Sequence, residues 1–478
     1  MGGVGGVVKP VVTVEEMRAI DEEALGRVDH ATLVDRAGTA VAASALRLLG
    51  GGYGRRVVVV AGKGSNGADG RVAAGRLRRR GARVEIVEAA EAPERIGRDG
   101  RVDLVVDAAY GTGFRGTYMA PSVPAGVPVL AVDIPSGVDG DTGEACGEPL
   151  RADVTVTFAA LKPGLLQGDG PLLAGRVEVV DIGLDVDRAR LWLVEDADVA
   201  RLLPVRARDS YKWQSAVAVV AGSPGMSGAA ELCAHAAYRA GAGMVRLGVP
   251  GADPQLLPVG EAVASELGAD DWAAAALEMV QRCRALVVGP GLGRAPGTGA
   301  QVRALVARSP VPVVVDADGL VALGTGPEIG PVVAGPAGPT GGPDGRSLPH
   351  AVLTPHDGEF AALTGAPPGP DRIEAARSLA AGCGAVVLLK GPTTVVAGPE
   401  GTALLVTAGS PRLATAGTGD VLSGAIGAFV ARGLPLFEAA GLAAHVHGRA
   451  AALGAPEGLV AGDLADLLGR WLSDARRG

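Results

Sequence analysis

A chain of 478 residues suggests two to four domains at ~100–200 residues each. Glycine supplies 75 residues, about 16% against a usual ~7%, and 33 prolines bring the pair to about 23%, just under the ~25–30% of low-complexity chains; the lack of a Gly-X-Y period excludes collagen. A net charge of −8 and 3% aromatics argue against a nucleic-acid surface and suit an enzyme.

Thr13-Val14-Glu15-Glu16 is a capping box and predicts a helix to about Leu25, followed by a second helix over about 32–49. Arg56–Ala61 reads as a strand buried on both faces. The glycine-rich stretch GKGSNGADG (62–70) reads as a loop leading into a helix to Arg80. Strands are expected at 84–87, 103–108, 128–133, 154–158 and 177–181. This strand–loop–helix repetition predicts a Rossmann-like, doubly wound α/β domain over 1–195.

The pattern breaks around 184–210, and a second α/β domain is expected over 196–478. Its strands are predicted at 216–221, 244–249, 285–288, 311–316, 351–354 and 385–390, with a hairpin near 393–407. Helices are predicted at 228–241, 298–308, 357–364, 371–382, 419–432, 436–452 and 461–475. Residues 329–349, rich in proline and glycine, read as a flexible insertion.

Cys146, Cys233, Cys283 and Cys383 form no C-x-x-C pair, so reduced thiols are expected rather than zinc or disulfides. MGGVGGVVKP lacks the charged start of a signal peptide, and three prolines within 116–132 exclude a spanning helix there. A soluble, cytoplasmic protein without membrane partners is expected.

Glycine loops and aspartates recur where the first-half strands end, the edge at which open parallel sheets bind ligands. GKGSNGADG can bring bare N–H groups against a phosphate, although a tight turn needs the same glycines. Asp69, Asp107 and Asp133 fit a shared site, although each could be a helix cap. Oxygen donors such as Asn66, Asp107 and Ser136 suit an alkali or alkaline-earth cation rather than zinc.

In the second half, Ala416-Gly417-Thr418-Gly419-Asp420 places successive N–H groups at a helix start, an anion hole for a transferring phosphoryl group. Asp420 there can take a hydroxyl proton, or can merely complement the helix dipole. Lys390, beside Gly391 at a strand end, is placed for a phosphate. His356 can touch a ligand or cap a helix.

The first half resembles the NAD(P)H-hydrate epimerase domain. The matches are GKGSNGADG (62–70), DAAYGTG (107–113), VDIPSG (132–137) and FAALKPG (158–164), in that order. The resemblance implies a potassium ion held by Asn66, Asp107 and Ser136. It implies hydrate contacts from Ser65, Asn66, Gly67, Ala68 and Asp69, from Gly111, Thr112, Gly113, Phe114, Arg115, Gly116 and Thr117, and from Asp133, the acid–base residue. Ser65 and Ala68 depart from the family pattern of asparagine and glycine. Alanine at 68 is harmless at negative φ and costly at positive φ.

From about Arg208 onward, AGSPGMSGAAELCAHAAYRAGAGMVRLGVP (221–250), VVGPGLGR (287–294), VVVDADGL (313–320), LTPHDGEF (353–360), LLKGPTTVV (388–396) and the GTGD helix resemble the NAD(P)H-hydrate dehydratase domain of the ribokinase-like superfamily. The resemblance implies hydrate contacts from Ala229, Gly293, His356 and Asp420. It implies nucleotide contacts from Lys390, Gly391, Pro392, Thr393, Thr394 and Gly419. Glu359 takes the place of the superfamily's magnesium-associated carboxylate. Together the halves imply a repair enzyme that epimerises the R and S hydrates of NAD(P)H and dehydrates the S form with ADP and magnesium, in a possible homo-oligomer. The alternative is a small-molecule kinase of the same superfamily with a non-catalytic N-terminal binding domain.

Overall fold

The computed structural model describes residues 9–97, 101–257, 260–336 and 349–476. It divides into two compact units that meet in sequence between Leu191 and Trp192.

In the first unit, β1 (Arg56–Ala61), β2 (Arg83–Glu88), β3 (Leu104–Ala108), β4 (Val129–Val132), β5 (Val154–Phe158) and β6 (Arg176–Val180) pair in the order β2-β1-β3-β4-β5-β6. Every pairing is parallel. The valine run of β1 is buried on both faces. Val57 and Val59 face one core with Val41, Ala45 and Leu77. Val58 and Val60 face a second with Ile96, Val105 and Tyr118. Burial of each such side chain contributes ~1.5–3 kcal/mol, which is why the strand reads as a continuous apolar run. Strand order reverses between β1 and β3, opening a crevice at their carboxyl ends.

The helices α1 (Val14–Leu25), α2 (His30–Leu49) and α3 (Ser65–Arg79) flank that sheet. The capping box at Thr13 is present: its hydroxyl accepts from Glu16 N–H at 3.2 Å, and Glu16 accepts from Thr13 N–H at 2.9 Å. One expectation needs correction. Residues 65–70 are not loop but the first turns of α3. Their glycines serve close packing instead: a Cβ on Gly70 would stand 2.6 Å from the Ala108 side chain on β3.

The second unit contains β7 (Ala216–Val220), β8 (Met244–Gly248), β9 (Val263–Ser265), β10 (Ala285–Val288), β11 (Val313–Val315), β12 (Ala351–Leu353), β13 (Val386–Leu389), β14 (Thr394–Ala397) and β15 (Ala403–Val406). They run in the order β15-β14-β13-β12-β11-β10-β7-β8-β9. Pairing is parallel from β9 to β13 and antiparallel through the β13-β14-β15 hairpins. The helices α4 (Ser227–Arg239) and α5 (Thr418–Ala431) pack on one face, their apolar sides joining Val217, Val219, Val287 and Val314 in a single core.

The stretch 329–349 is corrected in part. Ile329–Val333 forms a short helix with both end residues fully buried, because its apolar residues reach the core despite the neighbouring prolines. Residues 337–348, like the N-terminal 1–8, lie outside the described residues. Among the described residues no helix is long and apolar enough to cross a membrane.

Candidate active sites

The crevice of the first unit is a cavity of about 950 Å³. Ser65, Asn66 and Asp69 reach it from the start of α3, Gly111 to Phe114 from the loop after β3, and Asp133 from the end of β4. Arg115, Gly116 and Thr117 are exposed and stand outside its lining. Gly67, Ala68, Asp107 and Ser136 are also not part of the lining.

Asp133 has φ +64°, a left-handed conformation that Asp and Asn tolerate better than most side chains. One of its oxygens lies 2.8 Å from the Lys162 ammonium and accepts from the Thr157 hydroxyl at 3.0 Å. Lys162 is almost fully buried and also donates to Thr157 Oγ1 at 3.0 Å and the Phe158 carbonyl at 2.8 Å. Sequence reasoning assigned Lys162 no chemistry. Its place in FAALKPG was the available signal, but only the fold shows which carboxylate it meets.

Asp107 is completely buried at the end of β3. Ser136 Oγ donates to it at 2.6 Å and Ser136 N–H at 2.9 Å. Among the described residues no cationic side chain pairs with it, and burial, outweighing the Ser136 bonds, raises its carboxyl above the ordinary range. The Asn66 amide nitrogen donates to the carbonyls of Val132 at 2.7 Å and Tyr110 at 3.1 Å. That leaves Asn66 Oδ1 on the Gly111 side, 2.6 Å from where a Gly111 Cβ would stand. Tyr110 N–H donates to Ser136 Oγ at 2.9 Å, so Asn66, Asp107 and Ser136 are linked through one residue.

Ala68 lies inside α3 and is absent from the positive-φ residues, so the replacement of glycine there carries no backbone strain. Ala68→Gly is therefore expected to lower stability by ~0.5–1 kcal/mol, read by denaturant titration, with no gain in hydrate binding.

In the second unit, the carboxyl ends of β10, β11, β12 and β13 converge below the start of α5. Asp316, after β11, is the hub. It accepts from Lys390 Nζ at 2.9 Å, Thr354 Oγ1 at 2.7 Å and Ser423 Oγ at 2.7 Å. Burial alone would raise its carboxyl, but the Lys390 ammonium and these bonds outweigh that and hold it below the ordinary range. Asp316 was not singled out from sequence, although it carries the same strand-end signal as Asp107 and Asp133. Lys390 also lies 3.4 Å from Glu359 Oε2, so two carboxylates share its charge. Lys390→Met leaves a buried carboxylate unpaired and is expected to cost ~3–5 kcal/mol of stability, measured by urea unfolding.

Asp420 stands in the first turn of α5, behind Gly417 at φ +90°. Burial first, then the charge of Asp316, with lesser contributions from Asp318 and Glu359, pushes its carboxyl up to about 7; Lys390 opposes. Gly419 is beside Lys390 and Asp316: a Cβ there would be 3.7 Å and 3.8 Å from their terminal atoms. His447 holds this helix start in place, its Nε2 bonded to the Thr418 carbonyl at 2.9 Å, and burial depresses it to about 4, so it stays neutral.

His356 does cap a helix, its Nδ1 accepting from Gly358 N–H at 3.0 Å and Glu359 N–H at 3.3 Å. Its side chain is 59% exposed, and while Nδ1 caps the helix, Nε2 lies 3.5 Å from Glu359 Oε1. Gly293 N–H donates to Asp318 at 2.9 Å, and Ala229 packs against Gly291. Gly391 is overlain by Arg372, which donates to the Lys390 carbonyl at 2.7 Å. Thr393 is buried, Thr394 opens β14, and Pro392 between them and Lys390 is exposed.

Residues 217–473 match the family described as NAD(P)H-hydrate dehydratase, and 30–99 and 87–164 match the family described as YjeF-related protein N-terminus. The bifunctional NAD(P)H-hydrate repair enzyme Nnr of Mycobacterium tuberculosis is 42% identical, over 83% of this chain and 84% of that one. The enzyme of the same name from Salinibacter ruber is 38% identical over 96% of both chains. Among solved structures, the ADP/ATP-dependent NAD(P)H-hydrate dehydratase of Bacillus subtilis, co-crystallised with ATP/Mg2+, superposes with a TM-score of 0.50 at 29% identity, covering 59% of this chain and 98% of that one. Two glycine-edged sites in two α/β units, and identity that extends across nearly the full length of such relatives, establish that this chain belongs to the family of bifunctional NAD(P)H-hydrate repair enzymes.

Proposed function

We propose that the unit ending at Leu191 interconverts the R and S hydrates of NAD(P)H, and that the unit from Trp192 onward returns the S form to NAD(P)H at the expense of ADP, in the cytoplasm. The observation that carries the second half is the Asp420 carboxyl, poised near neutrality at a helix start beside Lys390. The Asp420 carboxylate takes the proton of the C6 hydroxyl as that oxygen attacks the terminal phosphoryl group. N–H groups at the start of α5, including Gly419, meet the charge that develops on the phosphoryl oxygens. The nucleotide's role is to replace hydroxide by phosphate, a better leaving group, which the ring nitrogen lone pair then expels. Ala229, Gly293 and His356 hold the hydrate, and Lys390 to Thr394 hold the nucleotide.

The donor sets suit the two cations. Among the described residues no three His, Cys, Asp or Glu side chains form a metal cage. Magnesium needs none, since it is held largely by phosphates and water with one or two carboxylates, here Glu359. Bound there, it would neutralise phosphate charge. Potassium suits Asn66, Asp107 and Ser136, where, among the described residues, the buried carboxylate faces no side-chain cation.

The test is a mixed-epimer hydrate incubated with ADP or ATP, with and without potassium and magnesium, followed by the near-ultraviolet absorbance of reduced nicotinamide. Full recovery with release of orthophosphate is expected. A stable phosphoester, or no recovery with either nucleotide, overturns the reading.

A further inference from the structure

Five carboxyl groups line the cavity of the first unit, and among them Asp69 and Asp133 have contrasting surroundings. Asp133 is held by the Lys162 ammonium and the Thr157 hydroxyl. Asp69 is 5% exposed and, among the described residues, its side chain has no ion pair or hydrogen bond. The other charged groups around the cavity are Arg18, Asp21, Lys63, Glu88 and Glu91, with His30. Glu88 is paired with Arg71 at 2.6 Å. Burial first, then the like charges of Asp133 and Asp21, pushes Asp69 up to about 8, so it keeps its proton at neutral pH. A Cβ on Gly38 of α2 would stand 2.7 Å from the Asp69 carbonyl, so α2 and α3 are in close contact there.

A neutral carboxylic acid and a carboxylate paired with an ammonium, facing one cavity, are a proton donor and a proton acceptor. We infer that Asp69 is the proton donor and Asp133 the proton acceptor in an inverting exchange of the hydroxyl at C6, an inference that rests on reading this unit as the epimerase. Asp69 gives its proton to the C6 hydroxyl, the C6–O bond breaks, and water leaves. The ring nitrogen lone pair forms a C=N bond to C6. A second water attacks C6 from the opposite face, and the C=N electrons return to nitrogen. Asp133 takes the proton of the incoming water. One water enters, one leaves, and nothing is oxidised or reduced. The proton has moved from Asp69 to Asp133, and epimerisation in the other direction returns it. Inverting glycoside hydrolysis uses the same division: an acid for the departing oxygen, a base for water on the other face, and a ring heteroatom that stabilises the cation.

The test uses the full chain without nucleotide, so that dehydration is silent. R hydrate is incubated in heavy-oxygen water and the S product is weighed by mass spectrometry at early times against a blank without protein. One solvent oxygen per inversion is expected. An S product that keeps its original oxygen overturns the inference, whereas a wild-type chain that produces no inversion overturns the epimerase reading itself. Asp69→Asn is expected to slow inversion by ~10²–10⁴-fold. Wild-type inversion is expected to fall as pH rises through about 8. An unchanged rate in Asp69→Asn also overturns the inference. The oxygen result needs no variant and so is independent of how Asp69→Asn folds.

Discussion

Asp420→Asn is expected to lower nucleotide-driven dehydration by ~10²–10⁴-fold, the usual contribution of a general base. Asparagine keeps the shape of the side chain and can still complement the helix start, so a role confined to the helix dipole predicts only a small change. The wild-type rate is expected to fall as pH drops through about 7, because the base must be ionised. Stability moves the other way. The folded carboxyl binds its proton more tightly than an ordinary aspartate of 3.8, so the folded state is penalised as pH rises from there to about 7, and fully above it. The asparagine variant is therefore expected to melt higher than the wild type above about pH 7, with the difference gone below 3.8. Lost activity with raised melting temperature separates a catalytic aspartate from a structural one. A variant that retains the full rate refutes the assignment.

The second large effect is expected at Asp133, whose loss leaves the Lys162 ammonium buried without a carboxylate. Asparagine is the substitution of choice, since φ +64° suits it and would strain alanine. Asp133→Asn is expected to reduce conversion of the R hydrate by ~10²–10⁴-fold while dehydration of the S hydrate at the other unit is kept. It is also expected to cost ~3–5 kcal/mol in the first unit, because one partner of a buried pair remains charged. Lys162→Met added to it removes that charge. The double variant is expected to regain most of the lost stability and none of the epimerisation, by urea unfolding and by rate. If stability and epimerisation recover together, the aspartate acts only as a structural partner.

Much of both sites was legible because chemistry in parallel sheets gathers at strand ends, and strand ends can be read from where apolar runs stop. Asp107, Asp133 and Asp420 each follow such a stop or a glycine cluster. Lys390 was legible for the same reason. Asp316 carried that signal too, inside VVVDADGL, but nothing local distinguishes an aspartate that organises Lys390, Thr354 and Ser423 from one that caps the next helix. Those partners are 74, 38 and 107 residues away, beyond any local pattern. The same holds for Asp133 and Lys162, whose pairing depends on the end of β5 turning back towards β4.

The excess of glycine carries the division between what each level decides. By itself the sequence determined two α/β units, the strands of the first and all but the edge strand β9 (Val263–Ser265) of the second, and a set of glycine-edged strand ends, because apolar runs and helix periods are local properties. It could not say what each glycine is for. GKGSNGADG reads as a loop, since glycine disfavours helices by ~1 kcal/mol. In the structure residues 65–70 are helix, because α3 comes so close to β3 and β1 that a side chain at Gly70 would collide. Tertiary packing overrides the propensity. By setting α3 against the sheet it also brings Asp69 into the cavity of Asp133, so only the fold decided which acids share a site and which of them keeps its proton.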